Sequence, residues 1–169
     1  ASIISDSADK NIYFNINTYG DRYQAIITAN SRHRTTPPNT EDGHLCLDGM
    51  AIMDFTLNDV PLNMQKLMQF ADVADKEIDY YICHQANKLI LNALADKIDI
   101  AHDKIPFAAG TTGNTSSASI PLLLCQNRYE NLQKVMLCGF GVGLACASCI
   151  ADLSDTKILD VINYGSSNI

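Results

Sequence analysis

Ile82-Cys83-His84-Gln85-Ala86-Asn87 is the stretch where an apolar run stops and a polar group opens a helix. Before it, Ile78-Asp79-Tyr80-Tyr81-Ile82-Cys83 is rich in aromatic and β-branched residues, as a buried strand requires. After it, Ala86, Leu89, Ile90, Ala93, Leu94 and Ile98 recur at three- and four-residue spacing, the period of an amphipathic helix. His84 therefore sits where a strand hands over to a helix. In an open α/β sheet that carboxyl edge is where ligands bind, so this stretch is the first candidate site.

Outward from it, the chain alternates elements. Val60, Met64, Leu67, Met68 and Ala71 share one face and predict a helix over about Asp59–Ala74, with Pro61 in its first turn and Asp48-Gly49 marking a turn before it. Lys104-Ile105-Pro106-Phe107 reads as a short strand. Gly110-Thr111-Thr112-Gly113-Asn114-Thr115-Ser116-Ser117 is a turn that delivers side-chain oxygens to a helix start. The helix that follows, about Ser117–Tyr129, carries Ala118, Ile120, Leu122, Leu123, Leu124 and Cys125 nearly all round, so burial on more than one side is expected. Val135–Cys138 and Leu144–Ala151 read as strands joined by Gly139-Phe140-Gly141-Val142-Gly143, and Lys157–Asn163 as an added edge strand.

At the front, Ser2–Ser5 and Ile12–Tyr19 read as two strands, the second alternating Ile12, Phe14, Ile16 with Tyr13, Asn15, Asn17. Gln24–Ala29 fits a helix turn or a strand equally. Asn30 to Gly43, with Ser31-Arg32-His33-Arg34 and two prolines, is a loop; its basic cluster is either a solvated surface or a contact for a phosphate or an acidic carrier. The sum is one α/β domain: strands leading in over 1–20, a core over 44–152 and a tail over 153–169.

Composition limits what such a domain does. With 47% hydrophobic and 18% charged residues it is globular and not disordered, and a net charge of -7 leaves no basic stripe for nucleic acid. No apolar run of about 18 residues is present to cross a bilayer. Of six cysteines, Cys83, Cys138, Cys146 and Cys149 lie inside strand-like runs and Cys125 inside Leu122-Leu123-Leu124. They read as small buried hydrophobes, which implies reduced thiols and a cytoplasmic address. No spacing suits a metal site, and no cofactor is expected. Ala1-Ser2-Ile3-Ile4-Ser5 reads as a strand entered midway, so the chain is expected to be a piece of a longer protein.

Three loops then converge on one sheet edge: His84-Gln85-Ala86-Asn87, Gly113-Asn114-Thr115-Ser116 and Gly139-Phe140-Gly141-Val142-Gly143. Taken alone, His84 reads as a satisfied core histidine and Asn114 as a helix cap. Taken together and in this order, with Leu45-Cys46-Leu47-Asp48-Gly49 before them and Ser117-Ala118-Ser119-Ile120-Pro121 between, the sequence resembles the β-ketoacyl-acyl-carrier-protein synthase III family of the thiolase superfamily.

The resemblance implies the C-terminal half of a thiolase-like fold: layered helices, a mixed and mostly five-stranded sheet, and a buried central helix. It implies a condensing enzyme that takes an acyl group from acyl-CoA onto a cysteine and joins it to malonyl-carrier protein after loss of carbon dioxide. His84 and Asn114 would stabilise the enolate, the Gly141-Val142-Gly143 turn would supply a backbone donor to a second oxyanion hole, and Asn87 would contact the pantetheine arm. The family's basic carrier-docking position falls on Leu89, which leaves neighbouring Lys88 as the candidate for docking acyl-carrier protein; Asp54 occupies another position that is often lysine. The nucleophilic cysteine of the family lies in the N-terminal half, and none of the six cysteines matches it. The chain alone is expected to be inactive, to need its own N-terminal half or a separate cysteine-bearing chain, and to form a homodimer in the full-length protein. The other reading is a non-catalytic, partner-dependent subunit.

Overall fold

The computed structural model describes residues 10–28 and 44–162. Four strands form the main sheet: β1 (Tyr13–Thr18), β4 (Tyr80–Cys83), β5 (Val135–Gly141) and β6 (Ala145–Ala151), in the order β1-β6-β5-β4. β4 and β5 run parallel, and the β1–β6 and β5–β6 pairs are antiparallel. A separate two-stranded ribbon pairs β2 (Ile26–Thr28) with β3 (Leu45–Leu47). The five-stranded expectation thus becomes four among the described residues. The predicted Ser2–Ser5 strand, the basic 30–43 loop and the end of the tail lie outside them.

α1 (Gly49–Ala71) and α2 (Lys88–Lys97) cover one face of the sheet, and α3 (Ser119–Gln126) packs on the other. α1 is ten residues longer at its start than the spacing predicted, and Pro61 lies inside it rather than in its first turn. Two features explain this. Asp48 is the N-cap, its Oδ1 accepting from Met50 N at 3.1 Å and Ala51 N at 3.0 Å. The buried stripe also continues on both sides of the proline, with Phe55 and Val60 before it and Met64 and Leu67 after it, so packing carries the helix across one missing hydrogen bond. Asp48→Ala is expected to lower stability by about 1 kcal/mol, read as a shift of the denaturation midpoint at unchanged slope.

β1 alternates as read, but its polar face is the one turned toward α1. Asn63, buried in α1, donates from Nδ2 to Asn17 Oδ1 at 2.6 Å and to the Asn15 carbonyl at 3.2 Å. Asn15 returns a bond from Nδ2 to the Asn63 carbonyl at 2.8 Å. Phe14 and Ile16 consequently face outward, 61% and 70% exposed.

α3 is also corrected. It ends at Gln126, not Tyr129, because Asn127 Nδ2 and Tyr129 OH both donate to the Leu123 carbonyl and close its last turn. Within it only Ser119 and Leu123 are fully buried, while Ile120, Leu122, Leu124 and Cys125 are half-buried. The helix is covered from the sheet side alone, since the described residues supply one layer of strands and no second.

Residues 104–107 form no strand. A single helical turn at His102–Lys104 leads into a segment held by the Gln85 side chain in place of sheet partners. Residues 157–162 add no edge strand either. β5 runs on through Gly141, which narrows the predicted glycine turn to Val142-Gly143-Leu144. Gly143 has φ +144, and a Cβ there would lie 2.9 Å from the Ala145 nitrogen, so this tip position requires glycine.

Candidate active site at the carboxyl edge of β4 and β5

His84 is the first residue past β4. Its backbone N–H donates to the Cys138 carbonyl at 2.8 Å, continuing the parallel β4–β5 pairing by one bond. The chain then leaves the sheet, and Asn87 caps α2, with its Oδ1 accepting from Ile90 N at 2.8 Å. That cap uses the amide oxygen of Asn87, whose side chain is exposed.

The His84 ring is half-buried and held on two sides. Its Nδ1 lies 2.8 Å from Ser119 Oγ at the start of α3, and the Phe140 ring meets it edge-on at 5.4 Å between centroids, with an interplanar angle of 89°. The carboxyl ends of β4 and β5 and the first turn of α3 therefore converge on one imidazole. Gln85, 2% exposed, supports it from behind. Its Nε2 donates to the carbonyls of Cys83 and Pro106, its Oε1 accepts from Ala108 N, and its backbone N–H donates to Ser119 Oγ at 3.3 Å.

Burial lowers the His84 pKa from its ordinary value, and a backbone hydrogen bond with Ser116 offsets part of that shift. The imidazole is accordingly neutral at neutral pH. Since the folded-state value lies below the unfolded one, the unfolded chain takes up the proton first. Stability is then present above the ordinary value of 6.5 and is lost as pH falls through it, until the lower folded-state value is passed. Urea midpoints measured from about pH 8 to pH 5 are expected to fall over this window in the wild type and to fall less in His84→Gln.

Asn114 lies in the turn before α3. Its Oδ1 accepts from Ser116 N at 2.8 Å, and Ser116 takes the left-handed conformation, φ 55, that this tight turn imposes. With its oxygen engaged, the exposed Asn114 side chain is left with its amide N–H donors. Ser116 thus links the two candidates: its N–H orients Asn114, and its backbone meets the His84 ring. Val142 stands at the β5–β6 tip, 71% exposed, two residues beyond Phe140. Lys88 is exposed in the first turn of α2, and the adjacent Leu89 is 71% exposed.

The two thiols nearest His84, those of Cys83 and Cys138, are fully buried. Cys83 packs into the α1-side core, away from the α3 side where His84 is held, and Cys138 beside it together with burial pushes its thiol up. Burial raises Cys146 to about 12 and Cys149 to about 11. Cys125 is half-buried and Cys46 exposed, and no disulfide forms among the described residues. Two surface cavities, of about 430 and 440 Å³, are lined by residues within 127–133 and 153–158 and by residues within 65–77, and His84 lines neither.

A layered α/β domain with a mixed sheet, and with His84, Asn114 and the Val142-Gly143 tip set beyond its strand ends, has the class of a thiolase-type half-domain. The profile of the 3-oxoacyl-[acyl-carrier-protein (ACP)] synthase III C-terminal family matches residues 68–153, and the chain belongs to that family. It is 38% identical over 146 residues to the β-ketoacyl-[acyl-carrier-protein] synthase III of Streptococcus uberis, covering 82% of this chain and 45% of that protein. It is 41% identical over 119 residues to the same-named protein of Lactococcus lactis subsp. cremoris, covering 67% of this chain and 37% of that one. The crystal structure of a 3-oxoacyl-(acyl-carrier protein) synthase from Burkholderia xenovorans superposes with a TM-score of 0.80 at 29% identity, over 89% of this chain and 46% of that chain. The chain thus spans less than half the length of these relatives.

Two residues of the site escaped the sequence reading: Gln85 as a buried clamp and Ser119 as the partner of His84. Both are ordinary polar residues at an element's edge, and only their contacts across the fold mark them.

Proposed function

We propose that this chain is the carboxyl-terminal portion of a 3-oxoacyl-[acyl-carrier-protein] synthase III acting in the cytoplasm. In the proposed reaction the acyl group of acyl-CoA is carried as a thioester on a cysteine outside this chain, in the N-terminal half or in a separate chain. The bond from the malonyl α-carbon to its carboxylate then breaks, carbon dioxide leaves, and the electron pair becomes an enolate whose negative oxygen accepts from His84 and from the Asn114 amide. The α-carbon attacks the acyl thioester, the new C–C bond forms, and the cysteine thiolate departs. The backbone N–H of Val142, carried on the Gly141–Gly143 tip, faces the acyl carbonyl during that attack. Asn87 Nδ2 receives the pantetheine arm and Lys88 the acyl-carrier protein, and the complete protein is a homodimer.

The observation that carries this reading is the orientation of the two donors. Ser116 N holds the Asn114 oxygen and so orients the amide, whose N–H groups are available to donate, and burial disfavours the charged form of His84, so it donates without adding charge. Donors fixed in advance stabilise charge that develops in the transition state more than they stabilise the ground state.

The test mixes the chain with its N-terminal half, or uses the full-length protein, and follows acyl-CoA-primed condensation with malonyl-carrier protein. Product is expected only when the cysteine-bearing half is present. Condensation by this chain alone, or none by the complete protein, overturns the assignment.

A further inference from the structure

Ser119 is one of only five polar side chains fully buried among the described residues, at 3% exposure, and nothing in the proposed reaction accounts for it. Its Oγ lies 2.8 Å from His84 Nδ1 and 3.3 Å from the Gln85 backbone nitrogen. We infer that Ser119 is a positioning residue that donates its hydroxyl proton to Nδ1 and thereby holds the ring proton of His84 on Nε2. This deepens the proposed function and rests on it, because enolate stabilisation by His84 needs an N–H on the outward nitrogen.

The argument is one of hydrogen-bond satisfaction. A serine hydroxyl has one proton and two lone pairs. The Gln85 N–H is a donor only and takes one lone pair. If Nδ1 carried the ring proton, it would take the other, and the hydroxyl proton would point into a buried site with no acceptor. No further acceptor is bonded to Ser119 Oγ among the described residues. With the hydroxyl donating to an unprotonated Nδ1, every group in the buried cluster is paired, which is the usual state of buried polar atoms.

Two supports keep this arrangement in place. Phe140, edge-on at 5.4 Å, fixes the plane of the ring so that Nδ1 stays turned to α3. Gln85 fixes Ser119 in turn, since the same residue whose side chain is clamped to residues 106 and 108 supplies the N–H to Oγ. The competing arrangement leaves the proton on Nδ1, donated to Ser119 Oγ, with a bare lone pair on Nε2. That lone pair would repel an enolate oxygen.

The experiment labels histidine with ¹⁵N in the full-length protein and reads the His84 tautomer from its ring nitrogen shifts and couplings. The neutral Nε2–H form is expected in the wild type and in Ser119→Thr, which keeps the hydroxyl. A mixture with the Nδ1–H form is expected in Ser119→Ala. Malonyl thioester decarboxylation is expected to fall roughly tenfold in kcat in Ser119→Ala, the scale of one hydrogen bond, with KM little changed and the rate restored in Ser119→Thr. A merely structural serine would lower the melting temperature without moving the tautomer. Nδ1–H in the folded wild type overturns the inference even if Ser119→Ala does not fold, and so does an unchanged tautomer in a folded Ser119→Ala. Failure of the underlying reading looks different: His84→Ala would decarboxylate as fast as wild type whatever tautomer is seen.

Discussion

Replacing His84 by alanine in the full-length protein is expected to slow malonyl thioester decarboxylation by about 10²–10³-fold, the cost of removing one preorganised donor from an oxyanion site. Asn114→Ala is expected to do the same. The double variant should lose less than the product of the two, because in the proposed reaction both donors serve one oxygen and act as a unit. Acyl transfer from acyl-CoA to the cysteine forms no enolate and should be much less affected, so single-turnover acylation is the internal control. Asn114→Ala has a second consequence that His84→Ala lacks. It also removes the Oδ1 that accepts from Ser116 N and frees a turn held in the left-handed conformation. Asn114→Asp is therefore the sharper variant: it keeps the acceptor, loses the N–H and places a negative charge near the enolate. Decarboxylation at the wild-type rate in both alanine variants would remove these residues from the chemistry.

The largest expected loss of stability is at Gln85. A leucine there is of similar size, yet it leaves the Pro106 carbonyl and the Ala108 N–H without the partners that hold a segment lying outside any sheet. Pro106 and Ala108 are half-buried, so at the lower end of about 1–3 kcal/mol for each group left unpaired, Gln85→Leu should cost roughly 2 kcal/mol or more. That is a large share of the total stability of a domain this size. Chemical denaturation measures it, and a change under 1 kcal/mol would mean that water or backbone rearrangement satisfies both groups. Hydrogen exchange separates this effect from a general one. The Ala108 amide should lose protection in Gln85→Leu while amides at the centre of β5 keep theirs.

The strand-to-helix switch at His84 was legible because it is local. The apolar run, the change of period and the polar group between them all lie within some twenty residues, and α2 and β4 fall where the pattern places them. Asn114 entered the reading only through its order relative to the other loops, since one asparagine in a turn carries no signal of its own. Pro61 misled because a proline is read as a helix boundary, whereas Phe55, Val60, Met64 and Leu67 pack as one stripe across it. β1 misled in another way: period two gives the alternation but not which face turns inward, and here Asn63, far along the chain, decides it. Gln85 and Ser119 were invisible for the same reason. Their partners are in other elements, and polar residues at an element's end look alike until the fold closes. The apolar circumference of α3 was read correctly as composition, but how much of it is covered depends on what packs against it and not on the helix itself.

The pairing of β1 with β6 also governs how this domain comes into being. Tyr13 lies opposite Ile150 and Thr18 opposite Ala145, so the sheet joins the two far ends of the described chain. Closing so long a loop is entropically expensive, and contacts of such separation slow folding. During synthesis β1 emerges well before its partner exists. Phe14 and Ile16 must then wait, unpaired in their strand, until nearly all the residues described here have left the ribosome. The ladder of asparagines between β1 and α1 gives the waiting strand an earlier place to dock, since Asn63 is translated long before β6.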